Sequence, residues 1–351
     1  MHTEQPATPV HAPERRTTGR ATAVAHPNIA LIKYWGKRDE DLVLPRVDSL
    51  SMTLDIFPTT TGVRVAPEAE HDAVTLGGRP AEGDALRRVV DFLDLVRERA
   101  GIAHRAVVES ENTVPTGAGL ASSASGFAAL AAAAAAAYGL DLDATDLSRL
   151  ARRGSGSASR SVFGGFALWH AGPESASAAE ADLSSYAEPV PTGELDPALV
   201  IAVVNAGPKA VSSRAAMRRT VDTSPLYEPW AVSSGQDLTE MRAALLAGDI
   251  EAVGEIAERN ALGMHATMLA ARPAVRYLSP ATLTVLDSVL QLRRDGIAAY
   301  ATMDAGPNVK VLCRRTDTDR VAQAVRAAVT DGSVLVAGPG PGARLLHGDG
   351  R

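Results

Sequence analysis

The sequence contains a single cysteine, Cys313, among 351 residues. One cysteine excludes an intrachain disulfide and fits a protein of a reducing, cytoplasmic compartment. No Cys and His residues have the spacing of a structural zinc site. The chain is long enough to bury a sizeable core, and its length suggests two domains or one large two-lobed unit.

The sequence also lacks a segment that suits a membrane. Residues 114–140 carry no charge, but they consist mainly of alanine, serine and glycine, which are too weakly apolar for a span. Residues 1–20 are rich in Pro, Thr, Arg and His and contain no apolar segment. We expect them to form a disordered tail and not a signal peptide.

An excess of positive charge is absent as well. The net charge is −6 and the isoelectric point is about 5.8, which argues against a nucleic-acid or anionic-membrane surface. Basic residues nevertheless form local clusters, which suit a small and highly anionic ligand better than a polymer. The alternative is that they belong to solvated helix faces. The clusters are Lys33, Lys37 and Arg38; Arg152, Arg153 and Arg160; and Arg214, Arg218 and Arg219.

A glycine-rich turn at 115–120 is followed by Ser122, Ser123 and a long run of alanines. Alanine has the highest helix propensity, so the pattern predicts a loop, two hydroxyls and the start of a helix. A helix N-terminus offers free N–H groups and the positive end of the helix dipole, and glycines allow a phosphate to approach closely. The stretch therefore indicates a phosphate-binding loop, although a serine cap on a core helix would give the same pattern.

Hydrophobic periodicity predicts a mixed architecture along the rest of the chain. We predict a helix near 84–100, a loop at 171–181 and a buried strand at 199–204. Strands at 299–303, 309–313 and 334–337 with a helix at 319–330 predict an α/β sandwich at the C-terminal end. We therefore expect an N-terminal domain at 21–195 and a C-terminal domain at 196–351.

Four short segments share glycine or serine together with groups that bind phosphate or carboxylate: 28–39, 115–125, 154–160 and 304–308. With NIALIKYWGKRD, VPTGAGLASSASGFAAL, RLARRGSGSASRSVFGGFALW, AVSSRAAM, MHAT and MDAGPNVKVL in this order, the chain resembles the GHMP kinase superfamily. Within it, the chain resembles the mevalonate diphosphate decarboxylase family over about residues 22–313. The resemblance implies an α+β fold of two lobes, an N-terminal lobe like ribosomal protein S5 domain 2 and a C-terminal ferredoxin-like α/β sandwich.

The resemblance also implies ATP- and Mg²⁺-dependent decarboxylation of mevalonate 5-diphosphate to isopentenyl diphosphate. Asp304 would engage the C3 hydroxyl, Arg160 would pair with the substrate carboxylate, and Lys33 would stabilise the developing charge. Taken alone, Asp304 before Gly-Pro would be read as a turn residue.

The remaining site residues are also implied by the matching motifs. Ser123 would lie nearest the transferred phosphoryl group and its Mg²⁺. The substrate would be bound by Tyr34, Trp35, Gly36, Lys37, Ser155, Gly156, Ser157, Ala158, Ser159, Ser213, Arg214 and Met217. The nucleotide would be bound by Pro115, Gly117, Ala118, Gly119, Leu120, Ser122 and Ser123.

Some segments depart from the family pattern. Residues 45–49 read Pro-Arg-Val-Asp-Ser, and the lysine-rich stretch before the Val-Ser-Ser motif is reduced to Asn-Ala-Gly-Pro-Lys. A family arginine in the helix at 84–100 matches either Arg87 or Arg88. These departures keep open a phosphomevalonate decarboxylase or a mevalonate 3-kinase, and an inactive ligand sensor is a further alternative. We expect a homodimer that binds small molecules and neither nucleic acid nor membrane.

Overall fold

The computed structural model describes residues 19–113, 122–204, 211–329 and 332–346. The predictions for the N-terminal tail before residue 19, the glycine loop at 115–120 and the segment 205–209 lie outside these ranges. The strands are β1 (Arg20–Ala25), β2 (Asn28–Ile32), β3 (Lys37–Asp39), β4 (Leu44–Pro45), β5 (Ser49–Thr53), β6 (Thr59–Ala66), β7 (Ala73–Leu76), β8 (Arg79–Pro80), β9 (Arg105–Asn112), β10 (Phe166–Trp169), β11 (Ala187–Pro189), β12 (Pro197–Val203), β13 (Ala299–Met303), β14 (Val309–Arg314), β15 (Ser333–Ala337) and β16 (Arg344–Leu346).

Helices connect these strands and cover the sheets. They are α1 (Gly83–Ala100), α2 (Ser122–Ala137), α3 (Ala144–Gly154), α4 (Ala158–Ser161), α5 (Ala178–Ser184), α6 (Ser213–Thr223), α7 (Tyr227–Ala247), α8 (Ile250–Leu269), α9 (Pro280–Arg294) and α10 (Thr318–Ala328). Within the described ranges, no helix is both long and apolar enough to cross a membrane.

The first lobe is built around helix α2, which packs against β1 and β6 of a sheet ordered β16-β1-β6-β9-β7-β8. Most of its alanines are buried, because the helix is covered on nearly every side. Small side chains allow a helix to lie close to its neighbours, and larger groups such as Phe92 and Val96 of α1 complete the core. The uncharged alanine run is therefore an interior helix whose first residues reach the cavity described below.

The second lobe is layered around strand β12 in a sheet ordered β13-β14-β12-β15. Side chains alternate between the two faces of a strand. Val200 packs with α9 and α10 on one face, whereas Leu199 and Ile201 pack with α7 and α8 on the other. Both faces of β12 are buried, which explains its continuous apolar sequence.

The two lobes share one of their cores. Ile29 and Leu50 of the sheet ordered β11-β10-β5-β2 pack in the same cluster as Leu199 and Met241 of the second lobe. The last described strand, β16, returns to pair antiparallel with β1 of the first lobe. The loops that carry the predicted site residues are therefore held by packing between the lobes.

Capping signals account for several helix ends. Ser279 forms a capping box ahead of Pro280, and Gly101 ends α1 with a left-handed backbone. The predicted helix at 84–100 is confirmed, but the predicted loop at 171–181 is wrong near its end, because α5 begins at Ala178. Ser177 and Glu180 form a capping box there, and this Ser-x-x-Glu signal was available in the sequence.

Candidate active site

A cavity of about 1490 Å³ receives residues from both lobes. Most of the described candidate residues from the sequence line it, together with Arg88, Asn112, Arg153 and Met264. Arg87 instead pairs with Asp84 in solvent, so Arg88 is the arginine of α1 that faces the cavity. The candidates on the wall are Lys33, Tyr34, Trp35, Lys37, Ser122, Ser123, Ser155, Gly156, Ser157, Arg160, Ser213, Arg214, Met217 and Asp304.

Asp304 is the centre of a buried charge cluster. Lys33 Nζ lies 2.8 Å from Oδ1 of Asp304, and Lys310 Nζ lies 3.2 Å from Oδ2. The side chains of both lysines are 2% exposed, whereas that of Asp304 is 29% exposed. The carboxylate is thus bound by a cation on each oxygen and still faces the cavity.

The cluster sets the ionisation of Asp304. Burial alone raises the pKa of the carboxyl group, but the two ammonium groups outweigh this effect and hold the pKa well below its usual range. The pKa of Lys33 is lowered because burial outweighs its attraction to Asp304. Asp304 is therefore an anion at neutral pH and a weak proton acceptor.

Arg160 is fixed by residues of two strands in the first lobe. Its guanidinium donates to Ser51 Oγ at 2.9 Å, to Ser49 Oγ at 2.5 Å and to Asn28 Oδ1 at 3.3 Å. The residue is 2% exposed, and burial lowers the pKa of its guanidinium to about 10. No carboxylate of the described residues makes a salt bridge with Arg160. Its charge is therefore available to an anion in the cavity.

Three serines meet at the start of α2: Ser123 of the helix itself, and Ser155 and Ser157 of the loop between α3 and α4. Ser155 Oγ donates to Ser123 Oγ at 3.2 Å and lies 3.4 Å from Ser157 Oγ. Helix α2 begins at Ser122, so the hydroxyls lie at the positive end of its dipole. The described part of the predicted phosphate-binding stretch thus faces the cavity.

Gly36 and Gly156 lie in two different segments, and both are required for close packing beside the cavity. A Cβ at Gly36 would lie 1.9 Å from the hydroxyl of Tyr227, and the φ of Gly36 is 104°. A Cβ at Gly156 would lie 2.6 Å from the ring of Trp169, on which Tyr34 packs edge-on. A larger residue at either position would displace Tyr227, which donates to the carbonyl of Trp35, or Trp169, which packs on Tyr34.

Gly36, Ala158 and Ser159 are not among the described residues that line the cavity. Ser159 Oγ donates to the carbonyl of Gly156 at 2.7 Å, so it stabilises the backbone of the loop that carries Ser155 and Ser157. Pro115, Gly117, Ala118, Gly119 and Leu120 lie outside the described residues.

The basic clusters of the sequence divide into two groups. Lys33, Lys37, Arg153, Arg160 and Arg214 line the cavity. Arg152 is fully buried and pairs with Asp182, and Arg38 donates to the carbonyl groups of Ala171 and Pro173. The basic clusters in the sequence therefore indicated the site, but some of their residues stabilise the fold and do not line the cavity.

Three buried residues beside Asp304 and Lys33 are absent from the residues that the sequence predicts for the site. Lys310 belongs to the MDAGPNVKVL segment, and His265 belongs to MHAT and lies near Asp304 and Lys33. Asn260 accepts a hydrogen bond from the amide of Lys33. The MDAGPNVKVL and MHAT motifs were a sequence signal for Lys310 and His265. No sequence pattern indicated Asn260. Among the described residues, no group of three or more His, Cys, Asp and Glu side chains could hold a metal ion.

Comparisons with known proteins identify the family of this chain. Two family models match, the diphosphomevalonate decarboxylase-like N-terminal domain over residues 25–181 and the mevalonate 5-diphosphate decarboxylase C-terminal domain over residues 199–336. The phosphomevalonate decarboxylase of Haloferax volcanii is 34% identical over 87% of this chain and 92% of its own length. The diphosphomevalonate decarboxylase of Ganoderma lucidum is 37% identical over 83% of this chain and 78% of its own length.

A solved structure described as MDDEF in complex with MVAPP, AMPPCP and magnesium has a TM-score of 0.87 and 45% sequence identity. The match covers 93% of this chain and 99% of that chain. The predicted two-lobed α+β architecture of the GHMP kinase fold is confirmed by this likeness. The chain belongs to the diphosphomevalonate decarboxylase family.

Proposed function

We propose that the protein is an ATP-dependent diphosphomevalonate decarboxylase, a carboxy-lyase of the mevalonate pathway of isoprenoid biosynthesis. It converts (R)-mevalonate 5-diphosphate to isopentenyl diphosphate and releases ADP, phosphate and CO₂. The observation that carries the proposal is the position of Asp304 between two buried lysines at the wall of the cavity. Arg160, Ser123, Ser155 and Ser157 line the same cavity. Family membership gives independent support.

The charge of the cavity fits the charge of the reactants. The substrate carries a carboxylate and a diphosphate, and the nucleotide carries a triphosphate, so their common site needs many cations and N–H donors. Lys37 and Arg214 line the cavity, and Arg160 is buried near Asp304. In this proposal, the diphosphate is bound by Lys37, Arg214, Ser155 and Ser157. The carboxylate is bound by Arg160.

Asp304 acts on the C3 hydroxyl. Hydroxide is a poor leaving group, so the hydroxyl is first phosphorylated, and loss of phosphate and CO₂ then leaves the terminal alkene. Because its pKa is held low, Asp304 accepts a hydrogen bond from the hydroxyl and orients it toward the γ-phosphate. Lys33, at 2.8 Å from Asp304, stabilises negative charge near the reacting oxygen.

The nucleotide phosphates are assigned to Ser122 and Ser123 at the start of α2, where N–H groups and the helix dipole favour anions. AMPPCP, an ATP analogue, and magnesium are bound in the related MDDEF structure. When bound, Mg²⁺ would neutralise the phosphate charge, and the Ser123 hydroxyl is the ligand that we assign to it.

Further features belong to the same proposal. We place the first domain at 21–195 and the second at 196–351, with β16 returning to the first sheet. We assign the protein to the cytoplasm and expect a homodimer. Size-exclusion chromatography with light scattering tests the dimer.

One experiment separates the main proposal from its alternatives. ADP release and trapped CO₂ are measured with mevalonate, its 5-phosphate and its 5-diphosphate, each with Mg²⁺. We expect both products only with the diphosphate. A preference for the monophosphate would identify a phosphomevalonate decarboxylase, as the relative from Haloferax volcanii is named. ADP without CO₂ from mevalonate would identify a 3-kinase, and no ADP from any of them a ligand sensor.

A further inference from the structure

The two cations on Asp304 come from different parts of the chain. Lys33 follows β2 of the first lobe and is 271 residues away in sequence. Lys310 lies in β14, six residues after Asp304 in the same hairpin, where it is paired with Thr302 of β13. The hairpin itself therefore places Lys310 against Asp304, whereas Lys33 reaches Asp304 only through the packing of the lobes.

The two lysines also differ in what they face. Lys33 and Asp304 belong to the wall of the cavity, but Lys310 is not among the wall residues of the described chain. Lys310 Nζ binds Oδ2, and Lys33 Nζ binds Oδ1 and the carbonyl of Ala30. A ligand in the cavity would contact Lys33 and Asp304 directly. Lys310 would affect the ligand only through its ion pair with the carboxylate of Asp304.

We propose that Lys310 is a positioning residue of the active site, whose ammonium holds Asp304 as an anion turned toward the cavity and leaves Lys33 to contact the substrate. This inference rests on the function proposed above. It assigns the two buried lysines to different tasks, although both touch the same side chain.

The charges around Asp304 explain why a second cation is needed. Burial opposes the charge of a carboxylate, and among the described residues Lys33 and Lys310 offset this effect by direct contact, with His265 and Arg160 close by. His265 is neutral at pH 7, because burial lowers its pKa to about 4. Without Lys310, Lys33 would be the one ammonium of the described residues in contact with Asp304, and the pKa of Asp304 would rise.

The test compares Lys310→Met, Lys310→Arg and the control Arg314→Met. Arg314 lies on the same strand and pairs with Glu251 at the surface. With the 5-diphosphate and ATP, we expect Lys310→Met to lower kcat/KM at least about tenfold at pH 7, mainly through kcat. Its pH profile should gain an acid limb from Asp304, which the wild-type protein and Lys310→Arg lack in the same range. Arg314→Met should match the wild type.

A double-mutant cycle shows whether Lys310 acts through Asp304. If it does, Lys310→Met costs little further activity in an Asp304→Asn background, because no charge remains to be held. The same cycle in urea unfolding does not need activity, and Asp304→Asn should relieve most of the destabilisation caused by Lys310→Met. Lys310→Gln, which keeps a hydrogen-bond donor, replaces Lys310→Met if the latter does not fold.

Two results would overturn the inference. One is a Lys310→Met protein with a wild-type kcat/KM and pH profile, and the other is full additivity with Asp304→Asn in both cycles. A wild-type protein that turns over none of the three mevalonate compounds would refute the proposed function instead, and the unfolding cycle would still decide whether Lys310 acts on Asp304.

Discussion

The main-chain amide of Lys33 donates a hydrogen bond of 2.8 Å to Oδ1 of Asn260, across 227 residues of sequence. The Nδ2 group of Asn260 donates to Ser234 Oγ at 3.0 Å and to Asp237 Oδ2 at 2.9 Å. All four residues are buried. Helices α7 and α8 of the second lobe therefore fix the backbone of a first-lobe residue that contacts Asp304.

We expect Asn260→Ala to destabilise the protein. The substitution leaves the amide of Lys33 without its acceptor and Asp237 without one donor, and a buried unsatisfied polar group costs about 1–3 kcal/mol. Urea unfolding at pH 7 measures the loss. Gln236→Ala, which removes an exposed hydrogen bond to Glu240, is the control and should change stability little. Equal stability of the two variants would contradict this role for Asn260.

Arg160→Lys should impair turnover although it keeps the positive charge. A single ammonium cannot reproduce the planar fork that reaches Ser49, Ser51 and Asn28 and still faces the cavity. We expect kcat/KM to fall at least about tenfold, with Arg149→Lys, which pairs with Asp146, as the control. A value within about twofold of the wild type, or about 0.4 kcal/mol, would show that the assigned carboxylate contact is wrong.

Asp304→Asn should separate binding from chemistry. The amide keeps the size of the side chain and one acceptor oxygen, but it loses the charge that Lys33 and Lys310 bind. We expect kcat to fall by about 10²–10⁴-fold with little change in KM for either substrate. ADP and CO₂ formation should be lost together, because phosphorylation precedes decarboxylation. Asp196→Asn, at an exposed ion pair with Arg315, is the control.

Two other outcomes would revise the role of Asp304. Near-normal ADP formation without CO₂ would place Asp304 in the second step. A large rise in KM at an unchanged kcat would limit it to substrate binding.

The stability of the protein should depend on His265 between about pH 6.5 and pH 4. Burial lowers the pKa of the folded protein's His265 to about 4, so the unfolded chain binds a proton more readily and folding weakens as the pH falls. Through this group, the free energy of unfolding should fall by about 2 kcal/mol between pH 7 and pH 5. We expect His265→Asn to lose about this much of the pH dependence in urea unfolding. His170→Asn, at a partly exposed site, serves as the control.

The sequence alone determined the features that depend on local patterns. The apolar spacing of the helix near 84–100 and the apolar run of β12 predicted both elements, because such patterns act within a few residues. The short motifs around Arg160 and Asp304 likewise indicated a site for an anionic ligand. Ser177 shows that even a local signal is missed when large apolar residues are absent nearby.

The tertiary structure decided which charges act together. Arg152 and Arg160 stand eight positions apart and look alike in sequence, yet Arg152 pairs with Asp182 and Arg160 reaches the cavity. The contact of Lys33 with Asp304 and that of its amide with Asn260 each join residues more than 200 positions apart. Sequence periodicity carries no information over such distances, because these contacts form only when the packing of the two lobes excludes water and brings the groups together.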